Sequence, residues 1–124
     1  MKKLSYLIMM VLFAGFSCLE KAEEPTFEAC GVQNPVKELT WLAEITSSSE
    51  PSGLGSYFYI TQAEYTGETI FIMRNCCPHC NTVITAYNCE GTLLGVVGQE
   101  SEIDASLILN ERTIWKPDNS SCFN

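Results

Sequence analysis

The sequence predicts an α+β domain in which one N-terminal helix packs on an antiparallel sheet of four to five strands, stapled by disulfide bonds. Three observations support this prediction. Apolar residues recur at helical spacing over residues 36–45. Two pairs of runs rich in β-branched and aromatic residues follow, with turn residues inside each pair. Six cysteines are spread over residues 30–122 of a chain of 124 residues, which is short enough for a single domain.

The N-terminus has the pattern of an export signal. Lys2 and Lys3 precede an apolar run over residues 4–16, and a charged stretch before an apolar one is typical of signal peptides. The run is shorter than the roughly 20 residues that span a bilayer. We therefore interpret residues 1–17 as a lipoprotein signal peptide and Cys18 as the lipidated first residue of the mature chain. The alternative is an ordinary signal peptide with an incidental Cys18.

Residues 18–29 are predicted to be a flexible acidic tether, because charged residues and Pro25 leave little apolar surface to bury. The run Lys21-Ala22-Glu23-Glu24 also resembles the acidic signals that send some lipoproteins of Bacteroidota to the cell surface. A solvated linker explains the same run. The sequence therefore predicts contact with the membrane through the lipid on Cys18, at the outer membrane, facing either the periplasm or the medium.

The charge balance excludes one class of partner. Lys2 and Lys3 are two of the seven basic residues, so the mature part has five basic against 15 acidic side chains. Proteins bind nucleic acids mainly by neutralising phosphates with lysine and arginine. We therefore predict no nucleic-acid partner.

A single domain over residues 30–124 begins with the predicted helix. Asn34 can cap this helix, and Pro35 suits its first position, where a missing N–H is not needed. Val36, Leu39 and Leu42 then fall on one face. The helix is predicted to last about three turns and to end in a loop over residues 46–53, which is rich in serine and contains Pro51 and Gly53.

Two hairpins are predicted after this loop. Residues 57–63 and 69–73 alternate in strand fashion around a turn at Thr66-Gly67, and residues 82–87 and 93–97 do so around a turn at residues 88–91. Beyond Gly98, residues 104–110 are predicted to form a short helix capped by Ser101 or Asp104. Residues 113–115 are predicted to form a last short strand before a polar tail.

The cysteines are predicted to form structural disulfide bonds, because an even number in a small exported domain indicates a disulfide framework. The sequence does not choose among the possible pairings. Cys76 and Cys77 are expected to reach different partners, since disulfide-bonded Cα atoms usually lie about 4.4–6.8 Å apart and neighbouring ones only about 3.8 Å. The candidates are Cys30, Cys76, Cys77, Cys80, Cys89 and Cys122.

Cys77-Pro78-His79-Cys80 is the sequence of the active site in DsbA-type thiol oxidases, which makes a thiol–disulfide oxidoreductase the alternative function. In those enzymes the first cysteine lies at a helix N-terminus, which lowers its pKa. Here a strand pattern follows Cys80. A zinc site would need a later pair of ligands, and Cys89 and Cys122 do not form a second C-x-x-C unit. We predict no catalytic residue, metal or cofactor.

Several segments together resemble an uncharacterised family of small Bacteroidota lipoproteins. They are the helix motif that runs from Cys30-Gly31-Val32 through Asn34-Pro35 to Trp41-Leu42, the Cys76-Cys77 pair and Ile114-Trp115-Lys116. Thr40 stands where such sequences often have proline. The resemblance implies a location and a fold but no activity. The sequence therefore predicts a lipid-anchored domain that is a non-enzymatic binding or interaction module of the cell envelope.

Overall fold

A computed structural model of the chain describes residues 27–49 and 53–123. The predicted signal peptide, Cys18 and most of the predicted tether lie outside these residues. The described part is an α+β domain with disulfide bonds, and both of these predictions are confirmed.

The predicted single helix is two helices, α1 (Pro35–Glu38) and α2 (Thr40–Ser48). Asn34 caps α1 as predicted, since its side chain accepts a hydrogen bond from the Lys37 N–H. Leu39 has an extended backbone (φ −83°, ψ 113°) that interrupts the helix while its side chain packs against the core. The break was not visible in the apolar spacing, because Leu39 is apolar in either conformation.

Helix α2 also continues beyond the predicted end. The hydroxyls of Ser47 and Ser48 donate to the carbonyls of Glu44 and Ile45, one turn earlier. Serine can compete with the helix backbone or bond back to it, and here it does the latter. The prediction of a loop from residue 46 onward was therefore wrong for Thr46, Ser47 and Ser48.

The sheet has six strands, one more than the upper predicted number. Their order is β5-β4-β3-β2-β1-β6. Neighbouring strands are antiparallel except β4 and β5, which pair in parallel over two residues each. The strands are β1 (Phe58–Tyr65), β2 (Glu68–Asn75), β3 (Thr85–Tyr87), β4 (Leu93–Gly98), β5 (Ile103–Asp104) and β6 (Ile108–Trp115).

Both predicted hairpins are present. Thr66 and Gly67 join β1 to β2 with positive φ angles of 51° and 83°, as a two-residue hairpin turn requires. The second hairpin has a shorter first strand than predicted, since residues 82–84 are not in a strand and pairing with β2 begins at Thr85.

The predicted helix over residues 104–110 was wrong. Asp104 does cap a helical turn, because its carboxylate accepts a hydrogen bond from the Ser106 N–H at 2.9 Å. That turn is a 3₁₀-helix of three residues, Ala105–Leu107. Ile108 then enters β6 and pairs with Tyr65 of β1, so pairing with a distant strand overrides the local helix signal.

The sheet is buried on both faces at its centre, because β2 places successive side chains on opposite faces. Phe71 faces the helices and packs with Leu42, Ile60 and Ile114. Its neighbours Ile70 and Ile72 face the other way. They belong to a second buried cluster together with Ala63, Ala86 and Ile103.

The second cluster is covered because the sheet curls. Strands β5 and β6 lie at opposite ends of the strand order, and a flat six-stranded sheet would separate them by about 24 Å. Asp104 and Ile108 are only four residues apart and therefore at most about 14 Å from each other. The Asp104 N–H also donates to the Tyr65 hydroxyl, at 3.4 Å. The curl thus brings β5 across the inner face of β1.

The turn between β3 and β4 contacts α2 through Trp41. The indole Nε1 of Trp41 donates to the carbonyl of Cys89 at 2.9 Å. Gly91 lies directly against the same ring, and a Cβ there would come within 2.7 Å of Trp41 Cγ. Trp41 also contacts the rings of Phe71 and Tyr87. A glycine is therefore required at position 91 by close approach as well as by its φ of +79°.

We expect Gly91→Ala to destabilise the fold more than Gly67→Ala. Gly67 has a similar φ of +83° but nothing within 4 Å of an added Cβ, so it serves as the matched control. Both changes impose a left-handed backbone on alanine at about 1–2 kcal/mol. The overlap with Trp41 should add about 1–3 kcal/mol to Gly91→Ala. Chemical denaturation measures both losses, and equal values would contradict the role given to this contact.

Candidate functional site

The six cysteines of the domain form three disulfide bonds: Cys30 with Cys89, Cys76 with Cys122, and Cys77 with Cys80. The neighbours Cys76 and Cys77 do reach different partners. The Cys30–Cys89 bond ties the segment before α1 to the turn that contacts Trp41. The structure thus supplies the pairing, which the sequence left open.

The Cys76–Cys122 bond ties the last described residues to the end of β2. A backbone hydrogen bond supports the same attachment, since the Ser121 N–H donates to the Ser56 carbonyl just before β1. This attachment places Phe123 against Tyr59, with ring centroids 5.1 Å apart. The C-terminal segment is therefore held against the sheet by a disulfide bond, a hydrogen bond and a ring contact.

The Cys77–Cys80 bond closes a small loop whose other residues, Pro78 and His79, are exposed. The Cys77 N–H donates to the Asn75 side chain at 2.8 Å, immediately after β2. Residues 81–84 after Cys80 have neither helical nor strand structure, and β3 follows. Cys77 therefore does not lie at a helix N-terminus, which is the feature that lowers the thiol pKa in DsbA-type enzymes.

Within residues 27–49 and 53–123, no cluster of three or more His, Cys, Asp or Glu side chains could hold a metal ion. In the same part of the chain, none of the helices has the length and apolar character needed to cross a membrane.

An ion-pair cluster that the sequence did not indicate joins three neighbouring strands. Arg74 of β2 binds Glu111 of β6 in a bidentate manner, with N–O distances of 2.8 and 2.9 Å. Thr61 of the intervening strand β1 donates to the same carboxylate at 2.6 Å. Burial raises the pKa of Glu111, but the bonds from Arg74 and Thr61 outweigh it, and the pKa lies below its usual value of 4.5.

A further feature that the sequence did not indicate is an open groove with a volume of about 730 Å³. One wall is formed by Phe27 and the start of α1, and the other by the end of β6 and the C-terminal segment. Three side chains from different elements, Val36, Ile114 and Phe123, make it largely apolar. The residues that line the groove are Phe27, Asn34, Val36, Lys37, Thr113, Ile114, Trp115, Lys116, Asp118 and Phe123.

Two basic side chains, Lys37 and Lys116, line this groove, and a third stacks on one of its lining rings. Lys116 Nζ lies over the ring of Phe123, 5.0 Å from its centroid. The Arg112 guanidinium lies over the ring of Phe27 at 5.1 Å. Such contacts between a cation and an aromatic ring are attractive and hold these long side chains beside the apolar surface. The groove therefore combines an apolar floor with positive charge.

No spacing in the sequence could have indicated the groove, because its walls come from the two ends of the domain. Phe27 and Phe123 are brought to the same site by β6 and by the Cys76–Cys122 bond. The basic residues beside the groove, Lys37, Arg112 and Lys116, are not close together in the sequence, so only the fold shows that they share a site.

The chain matches no family model, no curated protein and no solved structure.

We expect the stabilisation by Glu111 to depend on pH. A lowered pKa in the folded state means that the ionised carboxylate stabilises the fold above the unfolded pKa, and that this stabilisation is lost as the pH falls through the folded pKa. The difference in unfolding free energy between the parent and Glu111→Gln should therefore be largest near pH 7. It should shrink as the pH falls below about 4.5.

Glu64→Gln is the matched control for this measurement. It removes the same charge from β1, where the carboxylate accepts a bond from the Asn110 amide at 3.2 Å. Urea denaturation from pH 7 to pH 3 gives both differences. A difference for Glu111→Gln that stays constant over this range would contradict the interpretation.

Proposed function

We propose that this chain is a non-enzymatic binding module of the cell envelope, held on the outer membrane by lipid on Cys18. The observation that carries the proposal is the groove of about 730 Å³. Pockets that bind small molecules are typically apolar clefts of about 300–1,000 Å³ with a few polar groups. The groove has this character, and its walls are fixed by β6 and by the Cys76–Cys122 bond.

The export signal supports the location. Lys2, Lys3 and the following apolar run have the pattern of a signal peptide that ends before Cys18. Disulfide bonds persist in oxidising compartments outside the cytosol, and the domain has three of them. The resemblance to small Bacteroidota lipoproteins points the same way and stays a prediction, as does the side of the outer membrane that the domain faces.

We expect Cys18 to carry acyl chains. Treating producing cells with globomycin, which inhibits the lipoprotein signal peptidase, should accumulate a precursor of higher mass. Mass spectrometry of the mature chain should find acylated Cys18 at its N-terminus. Cys18→Ser should abolish both effects and release the domain from the membrane fraction. A soluble mature protein that begins at another residue would refute the anchor.

A second candidate function is thiol–disulfide exchange at Cys77 and Cys80. One observation favours it: the two cysteines form a bond with each other, and the loop between them is exposed. The lack of a helix at Cys77 counts against it, because nothing of that kind would stabilise the attacking thiolate. We therefore rank this function below binding.

Comparing two disulfide bonds separates a structural role from a redox role. The Cys30–Cys89 bond closes a sequence separation of 59 residues and the Cys77–Cys80 bond a separation of 3. When both partners of a bond are changed to alanine, loop-closure entropy predicts that the free energy of unfolding falls by about 4 kcal/mol for Cys30–Cys89 and by about 2 kcal/mol for Cys77–Cys80. Denaturation measures these losses, and native thiol titration should find none of the six cysteines reactive.

An insulin-reduction assay then tests exchange directly. We expect no activity that depends on Cys77, with Cys77→Ser/Cys80→Ser as the variant and the Cys30→Ala/Cys89→Ala protein as a disulfide-deficient control. The redox function would be supported instead by activity that this variant loses. It would also be supported if mild dithiothreitol opened the Cys77–Cys80 bond alone while the melting temperature stayed unchanged.

A further inference from the structure

The distribution of basic residues distinguishes the groove from the rest of the surface. The chain has a formal net charge of −8, and four of its basic residues are in the described part. Arg74 binds Glu111, and neither of these residues lines the groove. The remaining three, Lys37, Arg112 and Lys116, all line the groove or stack on a ring that lines it.

This arrangement favours an anion in the groove. An acidic chain attracts cations over most of its surface. Lys37 and Lys116 line the groove and Arg112 stacks on the lining ring of Phe27, so the basic side chains give this site the opposite preference. Lysine has three N–H donors and arginine has five, and stacking on a ring leaves donors that can reach a bound anion. Asp118 also lines the groove, which keeps the local excess of positive charge small and suits a single anionic group.

The apolar lining indicates the chemistry of the part of the ligand that lies beyond its anionic group. Val36, Ile114 and Trp115 are joined by the rings of Phe27 and Phe123, so most of the groove offers no hydrogen-bond partner to a polar molecule. An alkyl chain would gain burial against these side chains, at roughly two- to fourfold in affinity for each methylene group that leaves water. A free inorganic anion would gain nothing from them.

We propose that the groove binds a single-chain anionic amphiphile, with the alkyl chain against the apolar lining and a carboxylate or phosphate head beside Lys37, Lys116 and Arg112. This inference rests on the proposed function, in which the groove is the binding site. It adds the chemical class of the ligand. A fatty acid and a lysophospholipid-like phosphate share this chemistry, and the test separates them.

The test uses the full chain reconstituted in phosphatidylcholine nanodiscs and clickable diazirine probes with a C12 chain. Four heads are compared: carboxylate, phosphate, trimethylammonium and neutral maltoside. We expect the carboxylate or the phosphate probe to label peptides covering residues 27–37 and 113–123, at least about threefold more than the other heads. The stronger of the two identifies the head. Competition by C8, C10 and C12 chains with that head should strengthen with chain length.

Three variants locate the effect. Lys116→Gln should lower labelling by the anionic probe about three- to tenfold, as expected for losing a partly exposed charge-assisted hydrogen bond. Lys116→Arg should retain most of it. Gln99→Glu, in the exposed turn after β4, changes the net charge by the same amount as Lys116→Gln and should have no effect. If Lys116→Gln lowers the melting temperature, Lys37→Gln replaces it.

Equal labelling by all four heads would overturn the anionic class while leaving the groove as a binding site. Labelling outside the two peptides, or a loss that Gln99→Glu shares, would overturn the site itself. Displacement of the probe by an acidic peptide but not by dodecanoate or dodecyl phosphate would assign the groove to a protein partner instead. The acylation of Cys18 is measured separately, so a failure here does not touch the anchor.

Discussion

Burial of strand β2 on both faces is the constraint on which the rest of the structure depends. Phe71 points to one face of β2 while Ile70 and Ile72 point to the other, and all three are almost completely buried. Burial of a large apolar side chain contributes roughly 1.5–3 kcal/mol, so neither face can remain in water without a large loss. Helix α2 covers the first face through Leu42. The curl of the sheet covers the second and leaves only a three-residue link between β5 and β6.

Two of the disulfide bonds attach segments near the ends of the domain to the sheet. The Cys30–Cys89 bond joins the segment before α1 to the turn that contacts Trp41. The C-terminal segment lies outside both buried clusters, and the Cys76–Cys122 bond joins it to β2. Each of these two bonds therefore adds a covalent attachment to a segment beside the groove. The groove lies between the two segments that are fixed in this way.

Local patterns in the sequence correctly predicted turns and caps, which depend mainly on residues that are neighbours in the chain. The hairpin at Thr66-Gly67 was predictable because two runs with strand alternation flank a glycine, which readily adopts the positive φ that the turn requires. Asp104 also behaved as predicted in capping a helical turn, but the chain beyond it pairs with β1, and nothing within residues 104–110 records that partner. The cysteine pairing and the groove were out of reach for the same reason. Both depend on which distant segments the curl brings together.

The position of the groove in the chain connects it to the proposed anchor. Phe27 lines the groove and is nine residues from Cys18, a stretch of chain that spans at most about 32 Å whatever its conformation. With lipid on Cys18, the groove would therefore stay within that distance of the membrane surface. Single-chain amphiphiles partition into membranes, so such a tether would keep the groove close to their highest local concentration. The proposed anchor and the proposed ligand are therefore consistent with each other, because the membrane that would hold Cys18 is also where such amphiphiles accumulate.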